Sequence, residues 1–416
     1  MALTEKPPQS FVWRQVRQIR NGGSKEAMRK VRILAILPMA LVVVLVVRAL
    51  RPLVTIRFGV MPSLLIGPFA RNVETYMCER DAGLFGRKGI NIWYYKWSVS
   101  NSQLKKMWDR SIHVSQLAGI LDRANLLIPG GKSHVIPWRM TLSRDTEAVR
   151  ADEGPHISFI EDEESRGAEY LRQSGVPDGG RFICFHSRDS AYRYANFPGR
   201  DDDHNAFRNT SVSNYLPAAQ ELARRGDHAF RMGAIAAGPL PAADNKVVDY
   251  ASNGRTDFLD IYLAAKCRFF LGCGSGIDGI SMIFGRPTIY ANYIPLKWIT
   301  FSALGPNDLM IPKKLWLRQE SRWLTFPEIL RSDIGTFGTT QEYENSGIDV
   351  VENTPEEITA VAVEMDQRLN ETWQAMNEDE ELQSRFQALF EPGKTNGAYP
   401  FRIGAEFLRQ NRELID

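Results

Sequence analysis

The residues best suited to chemistry stand at the ends of apolar runs. Phe185-His186-Ser187-Arg188-Asp189 closes the run Arg181 to Phe185, which reads as a strand, and open α/β sheets place ligands at the carboxyl ends of their strands. An arginine there can grip a phosphate through two parallel N–H bonds, and a neighbouring carboxylate can fix the guanidinium or bond a hydroxyl. Arg231 closes a second run, HAFRMG, and would face the same crevice if that strand is parallel to the first. The third element is the loop Gly272-Cys273-Gly274-Ser275-Gly276 between a strand and a helix. Bare glycine backbone lets N–H groups approach an anion, and the helix start adds a favourable dipole. Taken singly, Arg188 with Asp189 could be a structural ion pair and the glycine loop a tight turn; together with Arg231 they point to a diphosphate pocket.

Positioning these groups calls for alternating strands and helices, the pattern of a parallel sheet covered on both faces. Leu53 to Phe58 and Ile90 to Trp97 read as strands, each followed by a helix, with short extended pieces at Leu126 to Ile128 and Val135 to Trp138. A polar stretch, Arg144 to Glu164, marks a boundary. The alternation then restarts: helix Glu164 to Gln173, strand Arg181 to Phe185, a long loop, a helix capped near Ser211, strand Ala229 to Met232. Thr256 caps a helix that leads into Arg268 to Leu271, and Thr288 to Asn292 is a further strand. Thr354-Pro355-Glu356-Glu357 is a strong helix start, and Phe401 to Arg412 reads as a final amphipathic helix.

Other motifs narrow the chemistry. Gly274 to Gly279 satisfies G-x-G-x-x-G, but no Asp or Glu lies between Gly279 and Asn307 to hold a ribose, which disfavours a nicotinamide enzyme. Gly130-Gly131-Lys132-Ser133 lacks the earlier glycine of a phosphate-binding P-loop and reads as a turn. Cys78, Cys184, Cys267 and Cys273 form no CxxC, and the six histidines form no zinc-spaced cluster, so no tightly held transition metal is expected. Asp201-Asp202-Asp203 with His204 reads as a solvated loop. Eight Lys/Arg against two Glu in residues 1 to 32 leave the rest of the chain at −4, which argues against a nucleic-acid partner. Behind that basic arm, Ile33 to Val47 is an unbroken apolar run of fifteen residues. A helix of that length covers roughly 22 Å of the roughly 30 Å hydrocarbon core, so it reads as a membrane-associated segment, spanning or in-plane. Phe11 to Arg20 suits an interfacial helix on anionic headgroups.

The segments FIEDEESRGAEYLRQSGVP, FICFHSRDSAY, FRNTSVSNYLPA, FRMGA, TDFLDIYLAAKCRFFLGCGSG and FGRPTIYANYIP resemble those of a group of bacterial glycosyltransferases of the two-Rossmann GT-B type. The resemblance is close over about residues 155 to 300 and looser over the first strand and loop. The group is similar to heptosyltransferases in its glycine loop and to fucosyltransferases in its His-x-Arg strand end. The resemblance implies an α/β chain of two Rossmann-like domains, an acceptor domain over 53–160 and a donor domain over 161–350, followed by C-terminal helices over 351–416; the basic arm and apolar segment over 1–52 stand outside the resemblance. It further implies transfer of a sugar from a nucleotide diphosphate donor without metal or other cofactor. Arg188 would clamp the diphosphate, Ser275 with Gly276 would cradle it, and His186, Asp189, Arg231 and Gly274 would line the donor site. The chain departs from the group at Gly274, where a small polar residue is usual.

Such a transfer needs charge stabilised on the departing phosphate and a base for the acceptor hydroxyl. Glu74 or Asp81, near the first loop, is expected to be that base. Nucleotide sugars are cytoplasmic, so the expected location is the cytoplasmic face of the inner membrane, with a lipid-linked or envelope glycan as acceptor. The rival readings are a catalytically silent, membrane-tethered assembly partner of the same fold and a nucleotide-sugar epimerase.

Overall fold

The computed structural model describes residues 28, 35–85, 89–137, 154–197, 203–241, 245–299, 305–390 and 401–416. The basic arm, the segment Phe11 to Arg20, most of the polar stretch after Arg144, and Asp201 with Asp202 lie outside them. The chain divides into two compact units. The smaller comprises Met1–Met61, Phe85–Lys96 and Ile112–Pro137, and the larger Pro62–Leu84, Trp97–Ser111 and Trp138–Asp416. Segments 62–84 and 97–111 thus belong with the C-terminal part, across the boundary expected near residue 160.

In the smaller unit, β1 (Thr55–Met61) pairs in parallel with β2 (Gly89–Tyr95), and isolated bridges join Phe58 to Val135 and Trp93 to Val114. This is a much smaller sheet than a full Rossmann-like domain would carry. Residues 35–49 are helical. One face of that helix buries Ala40 and Val44 against Ala124, and Val47 packs with Phe58, Tyr94 and Ala118. The opposite face leaves Ile36, Met39, Val42, Val43 and Val46 exposed. Leu126, expected in an extended piece, instead ends the helix Ala118–Leu126. Arg48 terminates it, donating to the carbonyls of Asn125 (2.7 Å), Ile128 (3.0 Å) and Pro129 (2.7 Å), which satisfies acceptors that a helix end leaves open. No described helix is long and apolar enough to cross a membrane.

The larger unit is built on a seven-stranded sheet whose neighbours all run parallel. Its strands are β3 (Phe182–Phe185), β4 (His228–Arg231), β5 (Val247–Val248), β6 (Phe270–Gly272), β7 (Thr288–Tyr293), β8 (Leu309–Pro312) and, added at one edge, β12 (Arg402–Ile403). All four residues of β3 are buried, as a strand covered on both faces requires. The spatial order is β12-β8-β7-β6-β3-β4-β5. The chain therefore lays β3, β4 and β5 outward in one direction, returns, and lays β6, β7 and β8 in the other. This is a doubly wound sheet whose order reverses between β3 and β6, the position where such sheets open a crevice beyond their carboxyl ends.

Three further strands, β9 (Lys314–Leu317), β10 (Arg322–Trp323) and β11 (Ile348–Val351), form a separate antiparallel sheet that the sequence pattern did not suggest. The helix Pro355–Leu369 begins as expected, with Thr354 and Glu357 in a reciprocal capping box. The final segment differs from the expected single helix: Arg402–Ile403 joins the sheet beside β8 before the short helix Ala405–Gln410.

At the amino ends of β3, β4 and β6 the charges neutralise one another. Arg268 reaches Asp227 at 2.9 Å and Asp366 at 2.6 Å, and Arg181 reaches Asp227 at 3.3 Å. Burial pushes the Asp227 carboxyl above its usual range, against the pull of these arginines.

Candidate functional site

At the carboxyl ends of the same strands, a cavity of about 370 Å³ opens within the larger unit. The turn after β3 and the loop after β6 meet there, on either side of the reversal in strand order. His186, the first residue beyond β3, donates its main-chain N–H to Leu271 at 2.9 Å. Its ring Nδ1 lies 2.9 Å from the Met232 carbonyl. A carbonyl only accepts, so Nδ1 donates its hydrogen to it, and Nε2 is the ring nitrogen left to meet a ligand.

Two residues on, the Arg188 guanidinium donates to the Asn205 carbonyl at 3.2 Å and to the Asn209 side-chain oxygen. Asp189 does not pair with it. Its two oxygens accept the main-chain N–H groups of Ala191 (2.9 Å) and Ala237 (3.0 Å), so this carboxylate shapes the loops around the cavity. The segment that holds Arg188 is pinned by Lys313, whose buried ammonium donates to the carbonyls of Phe207 (3.1 Å) and Asn209 (2.6 Å). Burial pulls this ammonium down to about 8.

The glycine loop is more occupied than its sequence suggests. Gly274 adopts a positive φ of 73°, which glycine tolerates without strain. The turn folds Ser275 onto Asp278, which accepts the Ser275 N–H and its hydroxyl, each at 2.8 Å. Burial raises the Asp278 carboxyl above its usual range against the pull of His186 and Ser275. The Ser275 amide expected to meet an anion is thus already committed. The N–H groups of Gly276 and Ile277 have no partner among the described residues. Gly67 and Gly276 pack backbone to backbone: a Cβ on Gly67 would lie 2.9 Å from the Gly276 Cα, and one on Gly276 would lie 3.2 Å from the Gly67 nitrogen.

His186, Arg188, Asp189, Gly274, Ser275 and Gly276 all line this one cavity. Arg231 and Glu74 do not. Arg231 ends β4 beside β3 as expected, but its side chain turns to the Gly238 carbonyl (2.7 Å) and Asp249 (3.4 Å) and is buried there. Glu74 is buried against His156, accepting from its Nδ1 at 3.0 Å, and Asp81 accepts from the Nε2 of the same ring at 2.7 Å. Beside the Cys78 sulfur and the Glu74 carboxylate, the imidazole is held up at about 10. A carboxylate so engaged, away from the cavity, is no base for a substrate held there.

Arg71, Arg193 and Arg208, which sequence reasoning missed, line the cavity as well. Arg208 donates to the Gly274 carbonyl at 2.7 Å, tying the segment after Asp203 to the glycine loop. Arg71, from the turn Pro68–Asn72, packs its stem 3.3 Å from where a Cβ on Gly279 would sit. Its guanidinium has no hydrogen-bond or ion-pair partner among the described residues. Neither position follows a recognisable strand end, so only tertiary contact brings them in. Tyr290, Tyr293 and Trp298 complete an aromatic wall.

No protein-family model matches the chain, and no curated protein matches it. Three solved structures similar to it are glycosyltransferases. A glycosyl transferase family 9 protein from Veillonella parvula DSM 2008 is 12% identical, with a TM-score of 0.37 over 57% of this chain and 80% of that one. The Escherichia coli ADP-heptose lps heptosyltransferase II is 13% identical, with a TM-score of 0.31 over 58% of this chain and 86% of that one. An Escherichia coli heptosyltransferase solved with ADP-2-deoxy-2-fluoro heptose is 10% identical, with a TM-score of 0.28 over 56% and 88%.

Proposed function

We propose that the chain transfers a sugar from a nucleotide diphosphate donor to a glycan acceptor, with the diphosphate seated at the carboxyl ends of β3 and β6. The observation that carries this reading is the convergence of Arg71, Arg188 and Arg208 with the Gly274 to Gly276 loop on one cavity at the reversal of strand order. Arg208, held by the neutral Gly274 carbonyl, keeps its charge for a bound anion and is already oriented when negative charge develops on the leaving phosphate. In the transfer, the bond from the anomeric carbon to the phosphate oxygen breaks, a bond to the acceptor oxygen forms, and the acceptor proton passes to a base. His186 takes that role in place of Glu74 and Asp81, because its Nε2 faces no described partner and its tautomer is set by Met232. Asp189 positions the loops. No metal or cofactor is assigned a part in the transfer.

The acceptor is proposed to be a lipid-linked or envelope glycan at the cytoplasmic face of the inner membrane. In the smaller unit, Leu50, Leu53, Leu117, Leu126 and Leu127 are exposed in addition to the outer face of helix 35–49. That much exposed apolar surface marks an interaction site, and the basic arm that precedes it in the sequence suits anionic lipid. The helix lies in the interface plane instead of crossing. Co-sedimentation with anionic vesicles should fall sharply for Val42→Glu/Val46→Glu; equal sedimentation would remove the membrane from the proposal.

Calorimetry with a panel of nucleoside diphosphates and nucleotide sugars tests the central reading. One donor is expected to bind, and Arg188→Ala to weaken it by about 100-fold, as loss of a charge-assisted phosphate contact of about 3 kcal/mol requires. Absence of binding across the panel would favour the silent assembly partner, and donor turnover without any acceptor would favour an epimerase.

A further inference from the structure

We propose that Glu74, Cys78 and His156 form a site for a single Zn²⁺ ion, apart from the cavity. Glu74 and Cys78 are four residues apart on the helix Val73–Asp81 and so share one face. His156 arrives from a segment 82 residues beyond Glu74 in the sequence, which is why no ligand spacing announces the cluster. His156 Nδ1 is 3.0 Å from Glu74 Oε1, Cys78 Sγ is 3.9 Å from the same oxygen, and all three ligand atoms lie within 4.8 Å of one another. Tetrahedral zinc, with bonds of about 2.0 Å to nitrogen or oxygen and about 2.3 Å to sulfur, sets its ligand atoms about 3.3 to 3.5 Å apart. The Cys78–Glu74 pair needs a closure of only a few tenths of an ångström to meet that spacing.

A separate observation supports an ion over a bare polar cluster. The far ring nitrogen, Nε2, is 2.7 Å from Asp81 Oδ2, and a carboxylate on the distal nitrogen is what orients an imidazole that binds metal. Glu74 and Cys78 are each about nineteen-twentieths buried, at 5% and 6% exposure, so the carboxylate and a thiolate would favour a cation close by. Thiolate, imidazole and carboxylate together suit zinc and disfavour magnesium or calcium, which prefer all-oxygen sites. Three protein ligands leave the fourth position to water. The ion would join the helix Val73–Asp81 to the segment that leads into the helix Glu161–Gln173, and the first of these helices continues the turn that carries Arg71.

Cobalt(II) titrated into the full chain, with no nucleotide present, tests the site. One equivalent should give a near-ultraviolet sulfur-to-cobalt charge-transfer band with the visible bands of tetrahedral cobalt, and zinc should bleach both. Cys78→Ser should remove the charge-transfer band, and His156→Gln should weaken binding at least tenfold. Asp81 is half-exposed, so Asp81→Asn should fold normally, keep the band, and bind about 10- to 100-fold more weakly. No band at stoichiometric cobalt, or a band that survives Cys78→Ser, overturns the proposal. Because the readout involves no donor, its failure leaves the transferase reading untouched, and the reverse also holds.

Discussion

The two ends of the seven-stranded sheet treat their arginines in opposite ways. At the amino ends, Arg268 is pinned between the buried carboxylates of Asp227 and Asp366, so its charge is spent on the fold. At the carboxyl ends, Arg208 is held by the Gly274 carbonyl and Arg71 has no described partner. Neutral acceptors fix a guanidinium in place without cancelling its charge. A shared strand scaffold thus separates structural cations from available ones, by which partner each has more than by how exposed it is.

Substitutions at the two ends should therefore fail in different assays. Arg268→Met leaves two buried carboxylates facing each other and should cost about 3 to 5 kcal/mol in denaturant unfolding, as breaking a buried ion pair does. Its donor affinity per folded molecule should stay near normal, and a comparable loss of affinity would dissolve the contrast. Arg188→Ala should lower the transfer rate about 10²- to 10³-fold, the effect of removing one preorganised donor to a developing negative charge. Arg71→Ala should resemble it in donor binding while leaving the melting temperature unchanged, since nothing in the described fold depends on that guanidinium.

The pH dependence of Lys313 sharpens the same point. Its ammonium sits at about 8 in the folded chain against 10.5 when exposed, so between those values the unfolded chain binds more protons. Stability should rise as pH climbs through that window, by about 3 kcal/mol in full, and Lys313→Met should flatten the rise. The smallest effect is expected for Ser275→Ala, which removes one hydroxyl bond to Asp278 and should cost about 1 kcal/mol in unfolding.

Much of the large sheet was legible in the sequence because β3, β4, β6 and β7 are continuous apolar runs bounded by turns or caps, and the groups at their carboxyl ends follow directly. Strands β9 to β12 are no longer than β3 or β4 but each includes a charged residue, Lys314, Arg322, Asp349 or Arg402, and no apolar run marks them. The site was legible where it sits on a strand end, at His186, Arg188 and Gly274 to Gly276. It was opaque where distant segments supply the partner. Arg71 and Arg208 enter through tertiary packing, Arg231 is diverted by Asp249, and Glu74 is claimed by a histidine from far along the chain. The free amides expected at Ser275 were misjudged because Asp278, only three residues on, folds back to take them.

Arg48 closes the end of the helix Ala118–Leu126 from a segment that a biochemist would be tempted to delete. A shortened form beginning after Pro52 would lose that closure and bare the Ala124 surface that Ala40 and Val44 shield. Such a truncation should scatter more light on warming than the intact protein, so the apolar segment is better kept as part of the body than trimmed as an appendage.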